Sequence, residues 1–240
     1  YFFYYLYRED RSITTDELIN YIPSFFWYYL YLPHHTSYKY HVVADNKIIT
    51  ELFFKSLNIS QPDTLCRVVN GNLYSPDMQQ WTYDQVRHEL TQNCYEKLFL
   101  KPAEGGRSEG IYVFHKNNSG DYITRQNILF NESFLASVGS VKDHILQPGV
   151  VQDKHISEMY PGSVNTCRII TENFGDVSRV VCAMLRMGCG ENDVDNVSAG
   201  GICVKIDITT GKLGNTAKSY ENKEFTEHPD SHLLFQNYKI

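Results

Sequence analysis

The chain has 240 residues, 42% of them hydrophobic, and a formal net charge of −6, which suits one large domain or two lobes with real cores. The acidic balance and the lack of a long Lys/Arg tract exclude nucleic acid as the main partner. The most apolar window, residues 25–32 (FFWYYLYL), is too short to span a bilayer, and no signal peptide is visible.

The chain opens on Tyr1 rather than Met and reads as a fragment. Its first forty residues are dense in Tyr and Phe. A core or lobe-packing surface is the plain reading; a membrane-surface or partner-docking face is the sharper one, because Tyr and Trp suit half-wet interfaces. DNKIITELFFKSL (45–57) places Ile48, Ile49, Leu52 and Phe53 at helical spacing, with Asp45 as N-cap. LCRVV and NLYS follow as short strands joined by Asn70-Gly71, the chemistry of a type I′ hairpin. Thr82 to Asn93 predicts a helix.

The stretch 98–114, LFLKPAEGGRSEGIYVF, is the most informative. Apolar, aromatic and β-branched flanks predict two strands around a glycine-rich polar loop. Gly105, Gly106 and Gly110 let the backbone approach a ligand closely, with amides free to meet anionic oxygens. Lys101 sits where strand gives way to loop, so its ammonium can reach a phosphate, and Pro102 is expected to stop strand pairing. No GKS or GKT follows and a strand comes next, so this is no Walker A loop. An ordinary surface turn is the competing reading.

A strand pair around Asn118-Ser119-Gly120, a short helix over 131–138 and a strand over 144–147 come next. Beyond residue 150 the pattern changes to long strands, one pair turning at Asn173–Asp176 and one at Thr209–Gly211. This is α+β with antiparallel sheets, not alternating βαβ. The natural ligand site is the cleft between a lobe at 41–147 and a lobe at 148–240, after an aromatic-rich segment at 1–40. Cys66, Cys94, Cys167, Cys182, Cys189 and Cys203 form no CxxC pair. They read as buried, reduced thiols of a cytoplasmic protein. His228 and His232 have a spacing seen in metal sites, but Pro229 between them argues against a shared helix face, and no metal ligand is assigned.

Four pieces, in this order, resemble the ATP-grasp superfamily, and more narrowly the sugar-transfer-associated ATP-grasp proteins. They are DNKIITELFFKSLNISQP, LFLKPAEGGRSEGIYVF, ILQPGVVQD with SVNTCRIIT, and AMLRMGCGENDVDNVSAGGICVKIDITTGKLG; EHPDSH is a weaker fifth. They cover nearly everything from residue 41 onward, and the first forty residues carry little of the likeness.

The resemblance implies two α+β lobes enclosing a nucleotide, with ATP and Mg2+ as cofactors. Lys47 and Lys101 would neutralise phosphates as mobile point charges. The loop from Glu104 through Gly105, Gly106, Arg107 and Ser108 to Gly110 would close over the triphosphate. Gln147 and the backbone at Pro148, Gly149 and Val150 would serve the adenine at the hinge. Arg168 and Arg186, on neighbouring strands, would converge on the γ-phosphate and an acyl-phosphate intermediate. Asn196, Ser198, Gly200 and Gly201 would complete that wall. For each arginine the competing reading is a structural ion pair.

The implied activity joins a carboxylate, small or saccharide-linked, to an amine or related nucleophile, in a surface-polysaccharide setting. The acidic strand and Glu-x-Asn pair that bind magnesium in such ligases have no match here. The chain is therefore expected to be truncated after Ile240 or to be a degenerate relative. A non-catalytic nucleotide- or polymer-binding module and an ATP-dependent phosphotransferase are the alternatives. The residues do not reveal an oligomeric state.

Overall fold

The computed structural model describes residues 14–18, 22–23, 25–106 and 108–240. The chain divides into a unit ending at Asp45 and a unit from Asn46 to Ile240. In the first, short helical pieces follow one another: Thr15–Leu18, a π-helical turn Phe26–Tyr31, Leu32–His35, a 3₁₀ turn Tyr38–Tyr40 and His41–Asp45. Trp27 stacks on Tyr31 at 5.0 Å and Tyr31 on His35 at 4.1 Å. The Phe26–Tyr31 and Leu32–His35 pieces bury no residue, and Phe25, Tyr28 and Tyr29 are exposed. The aromatic stretch is therefore not a core of its own among the described residues.

The second unit contains two antiparallel sheets, so the fold is α+β as expected. The first has seven strands. They are β1 (Cys66–Val69), β2 (Asn72–Tyr74), β3 (Gln80–Trp81), β4 (Lys97–Pro102), β5 (Tyr112–Lys116), β6 (Tyr122–Ile123) and β7 (His144–Pro148), in the order β3-β2-β1-β7-β4-β5-β6. Asn70 and Gly71 both take positive φ, at 48° and 75°, and close the predicted β1–β2 turn. Helix Tyr83–Asn93 starts in a capping box between Thr82 and Gln85, and helix Glu132–Gly139 is capped by Asn131.

Both helices cover one face of this sheet. Val86, Leu90 and Leu135 join Val68, Leu98, Leu100, Phe114 and Leu146 in a continuous core. Phe114 meets Phe130 and Phe134 edge-on at 5.2 and 5.5 Å, the geometry aromatic rings prefer. Alternation along β4 sends Leu98 and Leu100 into that core, leaving Lys97, Phe99 and Lys101 on the other face.

The second sheet has five strands in the order β12-β11-β10-β9-β8. They are β8 (Thr166–Phe174), β9 (Val177–Met187), β10 (Ile202–Ile206), β11 (Leu213–Ser219) and β12 (Glu224–Phe225). Ala183, Leu185, Met187, Ile202 and Val204 form its buried face with Met159 and Phe235. The β8–β9 hairpin runs past its pairing with β10, and Ile170, Val177, Val180 and Val181 on that extension are exposed.

Three sequence expectations are corrected. Asp45 ends the helix His41–Asp45; the cap of the next helix, Lys47–Ser56, is Asn46, whose side chain accepts from the Ile48 and Ile49 amides. Pro102 leaves the β4–β5 ladder but stays in register with His144 of β7, because a proline lacks a donor on one side only. Of the six free cysteines only Cys66 is buried, and Cys94 and Cys167 are exposed. No helix among the described residues is long and apolar enough to cross a membrane.

The loop between β9 and β10 ties the sheets together. Asp193 takes Lys97 of β4 at 3.2 Å, His115 of β5 at 3.0 Å and the Arg125 Nε at 2.7 Å. Burial works to raise the Asp193 carboxyl, but hydrogen bonds from Arg125 and His115 outweigh it and hold the group below its ordinary 3.8. A depressed carboxyl contributes stability above its unfolded value and loses it as pH falls through the folded one. Asp193→Asn is expected to cost about 2 kcal/mol at neutral pH, since the partners are partly exposed. It should also flatten the acid limb of the urea-midpoint profile below pH ~4. An unchanged midpoint would remove this tie from the account.

Candidate functional site

The site forms around the β4–β5 loop. Lys47 begins its helix and reaches across to the loop. Its Nζ donates to the Pro102 carbonyl at 2.8 Å and the Gly105 carbonyl at 3.0 Å, and its amide donates to Ala103. Asn46, the cap, also donates from Nδ2 to Glu104 Oε1 at 3.1 Å. Helix N-terminus and loop base are thus stitched together, with the positive end of the helix dipole at the loop.

Lys101 stands beside them on β4. Its Nζ donates to Gln147 Oε1 at 3.0 Å, and Gln147, itself 7% exposed, donates to the Pro62 carbonyl at 3.1 Å. Burial pulls the Lys101 ammonium below its ordinary value, and the Lys47 charge pulls it further. No carboxylate among the described residues forms an ion pair with Lys101. A half-buried cation beside a second cation is costly by itself and suits a site that receives an anion.

The loop is open. Gly105 and Gly106 are exposed, and a Cβ on either would meet nothing within 4 Å. Gly105 at φ 100° and Ser108 at φ 64° hold the turn. Arg107 lies outside the described residues. Ser108 Oγ accepts from Asn196 Nδ2, so the loop touches the second sheet.

There Arg186 is held on three sides. Its guanidinium donates to Thr166 Oγ1 at 2.8 and 3.1 Å and to Asn196 Oδ1 at 3.3 Å, and pairs with Asp195 at 3.1 Å. Thr166 in turn donates to Asp195. Gly201 keeps this strip close: a Cβ there would sit 2.6 Å from the Met187 carbonyl and 2.8 Å from that of Asp195.

Of the residues singled out in sequence, Lys47 contacts Gly105, Glu104 contacts Asn46 and Lys101 contacts Gln147, and the Lys47 charge acts on Lys101. Ser108, Asn196 and Arg186 are linked in series toward the second. Arg168 lies on the same face as Arg186 but one pair along, opposite Met184, and is exposed. Val150 is exposed past β7, and Ser198 is exposed on the 3₁₀ turn Val197–Ala199. Sequence reasoning gave no role to Asn46, Thr166 or Asp195, although Asp195 opens the DNVSAGG stretch, and that was the available signal for it.

Two expected cofactors fare differently. The cation pair at Lys47 and Lys101, with the open glycine loop, fits the phosphates of ATP. Magnesium does not fit the carboxylates near Arg186. Asp195 is engaged by Arg186 and Thr166, and Asp193 by Lys97, His115 and Arg125.

Cys189, His228 and Asp230 come together elsewhere. His228 is fully buried, with Nε2 on the Gly188 carbonyl at 2.9 Å and Nδ1 accepting the Asp230 amide at 3.2 Å. Both ring nitrogens are engaged, and burial with the Asp230 charge pushes the Cys189 thiol up to about 11. The cluster braces a turn.

A family model described as sugar-transfer associated ATP-grasp matches residues 29–240. No curated protein matches the chain. Among solved structures, D-alanyl-alanine synthetase A from Vibrio cholerae O1 biovar eltor is similar at 11% identity with a TM-score of 0.37, covering 76% of this chain and 54% of that one. The chain thus spans about half the length of that protein.

Proposed function

The chain belongs to the sugar-transfer associated ATP-grasp family, and from that premise we propose that it binds ATP and activates a carboxylate as an acyl phosphate for attack by an amine or related nucleophile. The observation that carries this reading is Lys101, half-buried, pulled down by burial and by Lys47, and without a carboxylate partner.

In this reading the parts at 41–147 and 148–240 close on the nucleotide. Lys47 and Lys101 neutralise phosphate oxygens, and amides of Gly105, Gly106 and Ser108 close over them, with Glu104 and Arg107 at the loop's flanks. Gln147 orients Lys101, and backbone near Val150 meets the base. The substrate carboxylate oxygen attacks the γ-phosphorus, and the bond to the ADP oxygen breaks. Arg186 stabilises the charge on the transferring phosphoryl, which is almost wholly electrostatic work, while Arg168, one row along and not reached by Asp195, stands outside that contact. Asn196 and Ser198 line that wall. The nucleophile then attacks the acyl carbon and phosphate departs. A setting in polysaccharide biosynthesis rests on the family description, and a cytoplasmic one on the free thiols.

A specific observation favours a second reading, a nucleotide-binding module without turnover: the carboxylates beside Arg186 are already paired.

The test supplies MgATP, hydroxylamine and a panel of sugar acids and amino acids. The ligase reading expects a hydroxamate with ADP and phosphate, and at least ~100-fold less with Arg186→Ala. A stable phosphate ester without hydroxamate would select a phosphotransferase instead. ATP bound with no product from any acid would select the binding module.

A further inference from the structure

The second sheet has a core face and an open face. On β9, Ala183, Leu185 and Met187 are buried, so Met184 and Arg186 project from the opposite side. The strand register fixes which residues share that side. Arg186 stands opposite Thr166 of β8 and Cys203 of β10, and Cys203 stands opposite Lys218 of β11. One pair along, Met184 stands opposite Arg168 of β8 and Lys205 of β10. Lys218 and Arg186 therefore occupy one row, and Lys205 and Arg168 the next, alternating around Cys203 and Met184.

The two rows differ in compensation. Arg186 has Asp195 at 3.1 Å and Lys218 has Glu224 at 3.2 Å. Arg168 and Lys205 are exposed and form no ion pair among the described residues. The carboxylate that feels Lys205 is Asp207, past the end of β10, and its oxygen already accepts from Thr209 and Thr210. With Met184 of β9 between them, Arg168 and Lys205 stand two strands apart, on the order of 10 Å between backbones. Like charges facing each other across a sheet repel unless an anion lies between them.

We infer that Arg168 and Lys205 hold a second oxyanion, a phosphate ester or diphosphate carried by the co-substrate, one row from the Arg186 site. This rests on the ATP reading above: with Lys47, Lys101 and Arg186 serving the nucleotide, the second row remains for another ligand. Cations on both sides of an apolar Met184 favour a group charged at both ends, which a diphosphate is and a single carboxylate is not. Lys205 would set substrate choice by binding, leaving the reacting atoms to Arg186.

The experiment saturates the chain with a non-hydrolysable ATP analogue and titrates inorganic pyrophosphate by calorimetry. Pyrophosphate is expected to bind the loaded protein, and Lys205→Gln to weaken it ~10-fold or more with the analogue's affinity changed less than ~2-fold. Acetate at the same concentration should give no heat. Analogue bound but pyrophosphate silent, or equal binding in Lys205→Gln, would overturn the inference alone. Acetate matching pyrophosphate would overturn the phosphate assignment. Failure of the analogue itself to bind would overturn the ATP reading, and this inference with it.

Discussion

Glu51→Ala is expected to destabilise the unit from Asn46 onward by about 3–5 kcal/mol, the usual loss when one partner of a buried ion pair is removed. The partner is Arg67, only 1% exposed at the start of β1. Its Nη2 meets Glu51 Oε2 at 2.8 Å, and its Nη1 donates to the Ser75 carbonyl at 3.2 Å and to that of Pro76. Among the described residues its Nε has no hydrogen-bond partner and Glu51 is the only carboxylate compensating this guanidinium taken out of water. Glu51 also accepts from Thr64 Oγ1 at 2.9 Å, which would be left unsatisfied too. The midpoint of urea unfolding should drop accordingly, and the double change Arg67→Met with Glu51→Gln should recover most of the loss. A loss under about 1 kcal/mol would mean that Arg67 finds water or another acceptor.

Lys101→Met is expected to reduce ATP affinity by ~10- to 100-fold, the worth of a charge-assisted contact in a half-buried site. The free protein should be no less stable than wild type. Lys101 donates to one uncharged acceptor, Gln147, and lies over the Phe99 ring at 5.4 Å, and against these it carries the cost of a desolvated ammonium next to Lys47. That combination separates a binding residue from a structural one. pH gives an independent check. With its value below 10.5, the folded apo protein disfavours the protonated form. Stability therefore rises as pH climbs through the lowered value toward 10.5, where the unfolded chain still holds its proton. A bound polyanion restores the charge, so ATP binding should take up a proton in that alkaline window and weaken as pH rises. The methionine variant should show neither effect by calorimetry in two buffers of different ionisation enthalpy.

What was legible in the chain was local. Asn70-Gly71 announces its turn because both residues tolerate positive φ, and Thr82 with Gln85 announces a helix start. Lys101 could be singled out because it ends a strand just before a glycine loop, and it does lie at the end of β4. The Arg168 and Arg186 pairing was half legible: both lie on the open face, but the register offsets them, and Asp195 answers only Arg186. Contacts between distant segments were not legible. Nothing near Asp193 points to Lys97, His115 and Arg125, and nothing in CRVV marks Arg67 as buried over Glu51. The cysteine expectation failed for a related reason. Cys167 sits in an apolar run, but on β8, the edge strand, whose outer side no described strand covers.

The measurement that tests the central claim most directly is thermal unfolding of the chain with and without millimolar MgATP. At about 100 times the dissociation constant, binding adds roughly 2.7 kcal/mol, a rise of about 5–10 °C for a protein of this size. The account predicts that rise in the wild type and its loss in Lys101→Met. A folded wild type with no rise, or an equal rise in the variant, would contradict a nucleotide site at the β4–β5 loop.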